Sequence, residues 1–165
     1  MRSDLYPSVN GTFYRILIER DLDGLLEGVL NREGRFHHGG QPALYMSPQL
    51  DWALKAVEAY RRDGDPPRVS VRLELTNARV ADIRDQDLCR KLGVDPADAA
   101  VPWLPQLKGG QVPSSWRIAD AIRAAGADGM IYSARSSAER WHIVLFRWNV
   151  ANGPTVSSAG LPRPI

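Results

Sequence analysis

The segment at residues 141–148 (WHIVLFRW) constrains the fold most, because it is apolar on both faces. A strand of this kind has other elements packed on both faces, so the segment predicts a central strand of a covered sheet. Residues 68–75 (RVSVRLEL) alternate strictly between polar and apolar positions, which predicts a strand with one buried face. The chain is therefore expected to fold around a sheet whose faces are covered by its other elements.

Shorter patterns predict the remaining elements. Further strands are expected at residues 12–18, 43–46, 79–83 and 129–132. Helices are expected at residues 21–30, at 47–61 with Ser47 as the N-cap, at 85–92, at 96–100, and at 114–125 with Ser114 and Ser115 as the cap. Residues 103–112 are expected to form an irregular connection. Strands outnumber helices and most connections suit antiparallel pairing, so the predicted class is α+β: a single domain with a mostly antiparallel split sheet and flanking helices.

Composition limits the classes of function. The 165 residues, 44% of them hydrophobic, suit one globular domain with a sizeable core. The 18 arginines and 3 lysines are scattered along the chain and nearly balanced by acids, for a formal net charge of +2. Because no basic arm or stripe is present, direct binding of nucleic acid is not expected.

Cysteine content and hydropathy bear on the compartment. The single cysteine, Cys89, cannot form an intramolecular disulfide, so no oxidising compartment is implied. No stretch approaches about 18 apolar residues, and the N-terminus lacks the apolar region of a signal peptide. A cytoplasmic protein without membrane contact is expected. Residues 1–11 and 151–165 are expected to be loosely ordered termini around a domain at 12–150.

Histidine, cysteine and serine patterns argue against two common kinds of active site. His37 and His38 are adjacent and cannot both face one ion from regular structure, and His142 with Cys89 gives no ligand spacing. No metal site is therefore predicted. Ser133 lies in IYSAR rather than in GxSxG, so acyl hydrolysis is not expected either.

A glycine-rich loop at residues 31–40 (NREGRFHHGG) is the most unusual segment. Its glycines match neither the dinucleotide-binding GxGxxG motif nor the P-loop. The loop carries Arg32, Arg35 and two histidines, and it precedes a strand that contains Tyr45. Glycines let backbone N–H groups approach an anion, and arginine binds phosphate through two hydrogen bonds. A nucleotide-like ligand is one interpretation of this loop, and a solvated basic loop is the other.

Several motifs together resemble one known family. In chain order they are Phe13-Tyr14-Arg15, Gly34-Arg35-Phe36-His37, Pro42-Ala43-Leu44-Tyr45, Ala53-Leu54 and Ser133. This pattern, over residues 12–148, resembles the RES domain. Members of that family are toxins of RES–Xre toxin–antitoxin pairs, their fold is similar to that of ADP-ribosyltransferases, and they use NAD. The stretches PSSWRIADAIRAAGADGMIYSARS and WHIVLFRWN are most similar to the ParT-type branch, which transfers ADP-ribose to a protein.

The resemblance implies roles for particular residues. Arg15 and Arg35 would contact the phosphates of NAD, Tyr45 would stack on nicotinamide, and Ser133 would hydrogen-bond the nicotinamide ribose or amide. These four are the expected catalytic residues, with NAD as co-substrate and no metal. The expected NAD-binding residues are Arg15, Arg35, Phe36, His37, Tyr45 and Ser133.

The chain departs from the family pattern at one position. The family glutamate, on the helix after the Tyr45 strand, corresponds to Ala56 here. Glu58 is about 200° around the helix from position 56 and Asp51 about 140°, so neither is a simple substitute. Three explanations remain open: this branch does without the glutamate, Glu58 or Glu74 reaches the site by another route, or the alanine is an engineered replacement.

Three functions follow from the resemblance. The first is a bacterial toxin that cleaves NAD and transfers ADP-ribose to a target protein, in which case an enzyme of nucleotide synthesis is a reasonable target. The second is an NAD glycohydrolase or phosphorylase that depletes NAD. The third is a non-catalytic module with a degenerate site that only binds its antitoxin. The expected partners are an Xre-like antitoxin and, for the first function, the target protein.

Overall fold

The computed structural model describes residues 5–58 and 60–165. The strands are β1 (Ser8–Ile18), β2 (Leu44–Met46), β3 (Arg68–Asp82), β4 (Gly129–Ala134), β5 (Ser137–Leu145) and β6 (Thr155–Pro164). The α-helices are α1 (Leu50–Glu58), α2 (Gln86–Leu92), α3 (Trp103–Lys108) and α4 (Ser114–Ala124). Two 3₁₀ segments lie at Glu19–Glu27 and Pro96–Ala100.

The long strand β3 joins two half-sheets. Its N-terminal part pairs antiparallel with β1 on one side and with β6 on the other. Its last residues, from Val80, pair parallel with β4, and the order continues through β5 to β2. Asn77, with a φ of 59°, lies between the two parts of β3. The predicted strands at 68–75 and 79–83 are thus one continuous strand, and the predicted α+β class with a split, mostly antiparallel sheet is confirmed.

Each face of the second half-sheet (β3–β4–β5–β2) covers a different hydrophobic core. One core combines residues of both half-sheets, such as Phe13, Leu73 and Ile143. The other packs helix residues such as Ile118 against Met130 and its neighbours. Strand β5 lies between β4 and β2 and contributes to both cores, which confirms the central strand predicted from its two apolar faces.

The start of α1 corrects a prediction. Ser47 is not the N-cap of the helix, which begins at Leu50. Its backbone instead pairs with Tyr14 through two hydrogen bonds of 2.7 and 2.9 Å, so β1 and the end of β2 are tied together. The predicted helix end at residue 61 also differs, because α1 ends at Glu58 and residue 59 lies outside the described residues.

Three further predictions differ from the structure. Residues 103–112, expected to be irregular, contain α3. Helix α4 has no side-chain cap: Pro113 precedes it, and the Ser115 hydroxyl bonds elsewhere. The C-terminal segment, expected to be loosely ordered, forms β6, because its backbone pairs with β3 and Val156 is buried. At the other end, β1 already begins at Ser8, and residues 1–4 lie outside the described residues.

Candidate active site

The first half of the glycine-rich loop is held by helix α4. The carbonyl oxygens of residues 34, 35 and 36 each accept a hydrogen bond from an α4 side chain. Trp116 Nε1–H donates to the first at 2.7 Å, the Ser115 hydroxyl to the second, and Arg123 Nη2–H to the third at 2.7 Å. The conformation of the loop is therefore set by tertiary contacts with a helix about 80 residues away in sequence.

The second half of the loop is held by one carboxylate of the same helix. Asp120 accepts hydrogen bonds from His38 Nε2 at 2.7 Å, from Gln41 Nε2 at 3.0 Å and from Arg123 Nη1 at 3.0 Å. The His38 ring also stacks on Trp116, with centroids 4.6 Å apart. Burial alone would raise the pKa of Asp120, but the hydrogen bonds from His38 and Gln41 outweigh it and the pKa is lowered. This part of the loop is thus anchored to α4 through a single carboxylate.

Tyr45 and His37 form a buried pair beneath the loop. His37 Nε2 lies 3.0 Å from the carbonyl of Asn31, which only accepts, so Nε2 carries the proton and Nδ1 is the acceptor. The Tyr45 hydroxyl donates to His37 Nδ1 at 2.7 Å and accepts from the Phe36 amide at 3.0 Å. Burial raises the pKa of Tyr45 and lowers that of His37. Both groups are neutral at pH 7, and the polar atoms of the pair are occupied within the protein.

Arg35 is the positively charged residue that the loop places at this site. Its Nε and Nη2 donate to the carbonyl of Ala99 at 3.1 and 2.7 Å, and its guanidinium packs against the rings of Phe36 and Tyr132 at 4.8 and 4.9 Å. Burial lowers the pKa of Arg35 and raises that of Tyr132 to about 12. Among the described residues Nη1 has no acceptor.

The electrostatic surroundings of Arg35 contain no carboxylate among the described residues. The ionisable groups that influence its pKa are Tyr132, Arg135, Tyr45 and Tyr60. A buried arginine normally has an anionic partner, because an unpaired buried charge is costly. Arg35 therefore offers an anion the two N–H groups of Nη1 in a positive, aromatic environment.

Sequence reasoning missed a row of three side chains across the sheet beside Arg35. Ser47 follows β2, His142 lies on β5, and Tyr132 is the cross-strand partner of His142 on β4. The Ser47 hydroxyl is 2.7 Å from His142 Nδ1, and the rings of His142 and Tyr132 are 5.7 Å apart. The sequence signal was a lone histidine within an apolar strand, which periodicity alone does not distinguish from a core residue.

The expected site residues divide between the two faces of the second half-sheet. Arg35 and Tyr45 lie on the face covered by helices. Arg15 is two residues from both Phe13 and Leu17 and shares their face of β1, so it lies on the other side, between the half-sheets. Ser133 is also on that face, opposite Trp141 in the β4–β5 pair. The structure thus brings together two of the four residues, and not all four.

Arg15 is used to hold the main chain. Its Nη1 and Nη2 donate to the carbonyl oxygens of Leu25 and Gly28 at 2.5 and 3.0 Å, and burial lowers its pKa. Both terminal nitrogens therefore anchor the end of the first 3₁₀ segment. Its predicted contact with phosphate stays a prediction, and so does the contact of Ser133 with nicotinamide.

Two other expected NAD-binding residues have structural roles. Phe36 is fully buried, and its ring packs on Tyr132 with centroids 4.6 Å apart. His37 has both ring nitrogens engaged within the protein. Both residues thus support the loop that carries Arg35, and their predicted contact with NAD stays a prediction.

A comparison with protein-family models matches the chain to the RES domain over residues 10–162. The chain belongs to the RES domain family. The match includes every residue of the loop, of the α4 contacts and of the Ser47–His142 row, so the site just described is part of the RES domain itself. It also begins within β1 and ends within β6, so both outer strands belong to the domain.

A solved structure has a similar fold. A chain of the M. tuberculosis MbcT–MbcA toxin–antitoxin complex superimposes with a TM-score of 0.65 at 14% sequence identity, covering 99% of this RES chain and 90% of that chain. At this identity the likeness shows the fold. No curated protein matches the sequence.

The RES family position occupied by Ala56 is on the exposed side of α1. Of the other acids considered for it, Asp51 and Glu58 are also exposed on this helix, and Glu74 accepts a hydrogen bond of 2.6 Å from Thr12 on the first half-sheet. Of the three explanations for the alanine, the route through Glu74 is therefore not supported.

The described part of this RES domain shows neither a metal-ion cluster nor a membrane-spanning helix. In residues 5–58 and 60–165, no cluster of three or more histidine, cysteine, aspartate or glutamate side chains is arranged to hold a metal ion. None of the helices in these ranges has the length and apolar composition that a membrane crossing requires.

Proposed function

We propose that this RES domain is the toxin of a bacterial type II toxin–antitoxin pair, acts in the cytoplasm, and cleaves NAD to transfer ADP-ribose to a target protein. The observation that carries the proposal is Arg35, a half-buried guanidinium packed against two aromatic rings, with no acceptor for Nη1 and no carboxylate partner among the described residues. A diphosphate supplies the negative charge that this position lacks, and it suits the fork geometry of arginine.

In this proposal Arg35 binds the diphosphate of NAD and fixes the position of the nicotinamide–ribose bond. That bond breaks with its electron pair leaving on nicotinamide, while positive charge develops on the ribose. Positioning and electrostatics are sufficient for such a departure. A nucleophilic side chain of the target then forms the new bond to the ribose carbon and loses its proton. Tyr45 acts by holding the loop, through His37 and the Phe36 amide.

Contact of the nicotinamide end with Ser133 is proposed from the resemblance, and it requires the dinucleotide to pass round the end of β4, because Ser133 lies on the opposite face of the sheet from Arg35. The Ser133 hydroxyl has no hydrogen-bond partner among the described residues, and its cross-strand partner Trp141 packs against Trp52 of α1 at 6.4 Å between centroids. Ala56 follows Trp52 by one helical turn on the same helix. The two tryptophans offer flat surfaces for a nicotinamide ring, and Ser133 offers a hydrogen bond for its amide.

The partner proposals rest on the family and on the similar structure. The MbcT–MbcA chain comes from a toxin–antitoxin complex. By analogy we propose that this chain binds an antitoxin of the Xre type, and that any contact with DNA is made by that partner. The target protein is proposed to be an enzyme of nucleotide synthesis.

A second function is favoured by the charge of the site. Arg135 lowers the pKa of Arg35, and Arg140 lowers that of His142, so further arginines surround the site while no carboxylate influences either group among the described residues. An anionic acceptor such as inorganic phosphate suits this environment better than a cationic one. Phosphorolysis of NAD, giving nicotinamide and phosphorylated ADP-ribose, is therefore the alternative to protein modification.

The test is release of nicotinamide from NAD by the purified chain, with and without inorganic phosphate and bacterial lysate. Arg35→Ala is expected to lower release by about 100-fold or more, and Arg35→Lys by somewhat less, because lysine keeps the charge but loses the fork. Arg20→Ala, an exposed arginine outside the site, is the control.

Product analysis by mass spectrometry separates the functions. A lysate protein that gains one ADP-ribose supports transfer, and phosphorylated ADP-ribose supports phosphorolysis. Release that is equal in wild type and Arg35→Ala would contradict the assignment of Arg35. If neither the wild type nor Ala56→Glu releases nicotinamide, the enzyme proposal fails and the antitoxin-binding module remains.

A further inference from the structure

His142 is the buried polar side chain of the site that the proposed reaction does not use. The residue is 7% exposed and lies between Ser47 on one neighbouring strand and Tyr132 on the other. Strand alternation directs its side chain to the same face as Tyr132, against which Arg35 packs. The imidazole is therefore a neighbour of the arginine that is proposed to bind diphosphate.

One nitrogen of this imidazole is free. Nδ1 is paired with the Ser47 hydroxyl at 2.7 Å, whereas Nε2 has no partner among the described residues. Within those residues the single buried side-chain nitrogen or oxygen without a hydrogen bond is Arg140 Nε. His142 Nε2 is therefore not sealed in the core, and it remains open to a molecule that enters the site.

The charges around His142 are positive. The groups that face it are Arg35 from the loop, Arg140 from its own strand, Tyr132 from β4 and Ser47 after β2. Burial, followed by Arg35 and Arg140, lowers the pKa of His142 to about 4. The imidazole is neutral at pH 7, and an anion placed beside these arginines would offset the part of the pKa shift that Arg35 and Arg140 cause.

We propose that His142 is a ligand-contacting residue of this site, whose Nε2 hydrogen-bonds the diphosphate portion of the bound dinucleotide. The inference rests on the proposed function, because it takes a diphosphate as the ligand of Arg35. It adds a second contact to the diphosphate, and it predicts a change in the protonation of His142 when the ligand binds. Negative charge beside Arg35 and Arg140 raises the pKa of His142 above its value of about 4 in the free protein, so ligand binding takes up a proton in mildly acidic solution.

The probe is ADP-ribose, which contains the diphosphate but no nicotinamide bond to break. Calorimetry at about pH 5.5, in two buffers with different enthalpies of ionisation, measures proton uptake on binding. The wild type is expected to take up a fraction of a proton. His142→Gln, which keeps an amide N–H to donate, is expected to bind within about threefold of the wild type but without this uptake. His142→Phe is expected to bind about tenfold more weakly.

Imidazole NMR measures the protonation of His142 in the wild-type protein itself. The His142 signals of the wild type, assigned by their absence from His142→Gln, are titrated with and without ADP-ribose. The proposal predicts a higher pKa in the complex. An unchanged His142 pKa, together with unchanged affinity in His142→Phe, would overturn it.

The experiment distinguishes failure of this inference from failure of the proposed function. If ADP-ribose binds the wild type and binding requires Arg35, the diphosphate site stands, and the two histidine variants decide the role of His142. If ADP-ribose does not bind, or binds equally to Arg35→Ala, the proposed diphosphate site fails and this inference fails with it.

Discussion

Single residues of the glycine-rich loop have roles that their type alone does not reveal. Gly34 is needed for packing, because a Cβ at this position would collide with the imidazole of His37. His37 in turn accepts the Tyr45 hydroxyl, and the amide of Phe36 donates to the same oxygen. Glycine at position 34 is therefore explained by packing against His37. This explanation does not require the backbone to approach an anion.

Gly34→Ala tests this packing. The added methyl group requires His37 or the loop to move, so we expect the free energy of unfolding to fall by about 2 kcal/mol. NAD turnover should fall further than stability alone explains, because the next residue is Arg35. Urea denaturation and nicotinamide release measure the two effects.

Gly24→Ala is the matched control. A Cβ there approaches only the flexible end of Glu27, at 3.3 Å, and the φ of −97° suits any residue. It should change stability by less than about 1 kcal/mol. An equal effect of both substitutions would contradict the role given to Gly34.

At the scale of elements, helix α4 determines the shape of the loop that carries Arg35. Four of its side chains bond the loop: Ser115, Trp116, Asp120 and Arg123. The helix was predicted from its apolar face, which packs into the core as expected. The four side chains that bond the loop therefore connect the position of the helix to the position of Arg35.

Asp120→Asn is expected to loosen this connection. The carboxylate accepts hydrogen bonds from His38, Gln41 and Arg123. In asparagine one of its two acceptor oxygens is replaced by an NH2 group, which only donates. Because the Asp120 side chain is 42% exposed and partly screened by solvent, we expect a loss of only about 1 kcal/mol at pH 7.

The pH dependence of this loss has a defined sign. The folded protein lowers the pKa of Asp120 below its ordinary value of 3.8, so the stabilisation is complete above that value and disappears as the pH falls through the folded pKa. Urea denaturation should show the difference between wild type and Asp120→Asn shrinking below about pH 4. Asp23→Asn, an exposed position, serves as the control, and a difference that persists at low pH would contradict the assigned role of the charge.

At the scale of the whole molecule, β6 is an edge strand of the first half-sheet, which β1, β3 and β6 form. It pairs with β3 from Val69 to Thr76, opposite the edge that pairs with β1. Val156 is 3% exposed and belongs to the core between the half-sheets. The C-terminal segment is therefore part of the fold that supports the site.

Val156→Ala should lower the free energy of unfolding by about 2 kcal/mol, because two buried methyl groups are lost and a cavity remains. Val150→Ala removes the same atoms from a side chain that is 55% exposed, and it should have an effect below about 0.5 kcal/mol. Urea denaturation compares them. Equal stability of the two variants would mean that β6 does not contribute to the core in solution.

The sequence by itself determined most of the elements and the family. Strict alternation in β3 and two apolar faces in β5 reflect burial of single strands, which is a local property of side chains. The same is true of the apolar face of α4. The motifs around Arg15, Arg35 and Tyr45 were sufficient for the RES resemblance, because motif spacing is itself a sequence property.

Only the tertiary structure decided which of these residues meet. Arg35 and Tyr45 come together on one face of the sheet, whereas Arg15 and Ser133 lie on the other, and the Ser47–His142 row adds a group that no motif indicated. β6 likewise became a strand through backbone pairing, despite its Gly and Pro content. Such contacts join residues that are distant in sequence and depend on strand order and facing, which local periodicity does not specify.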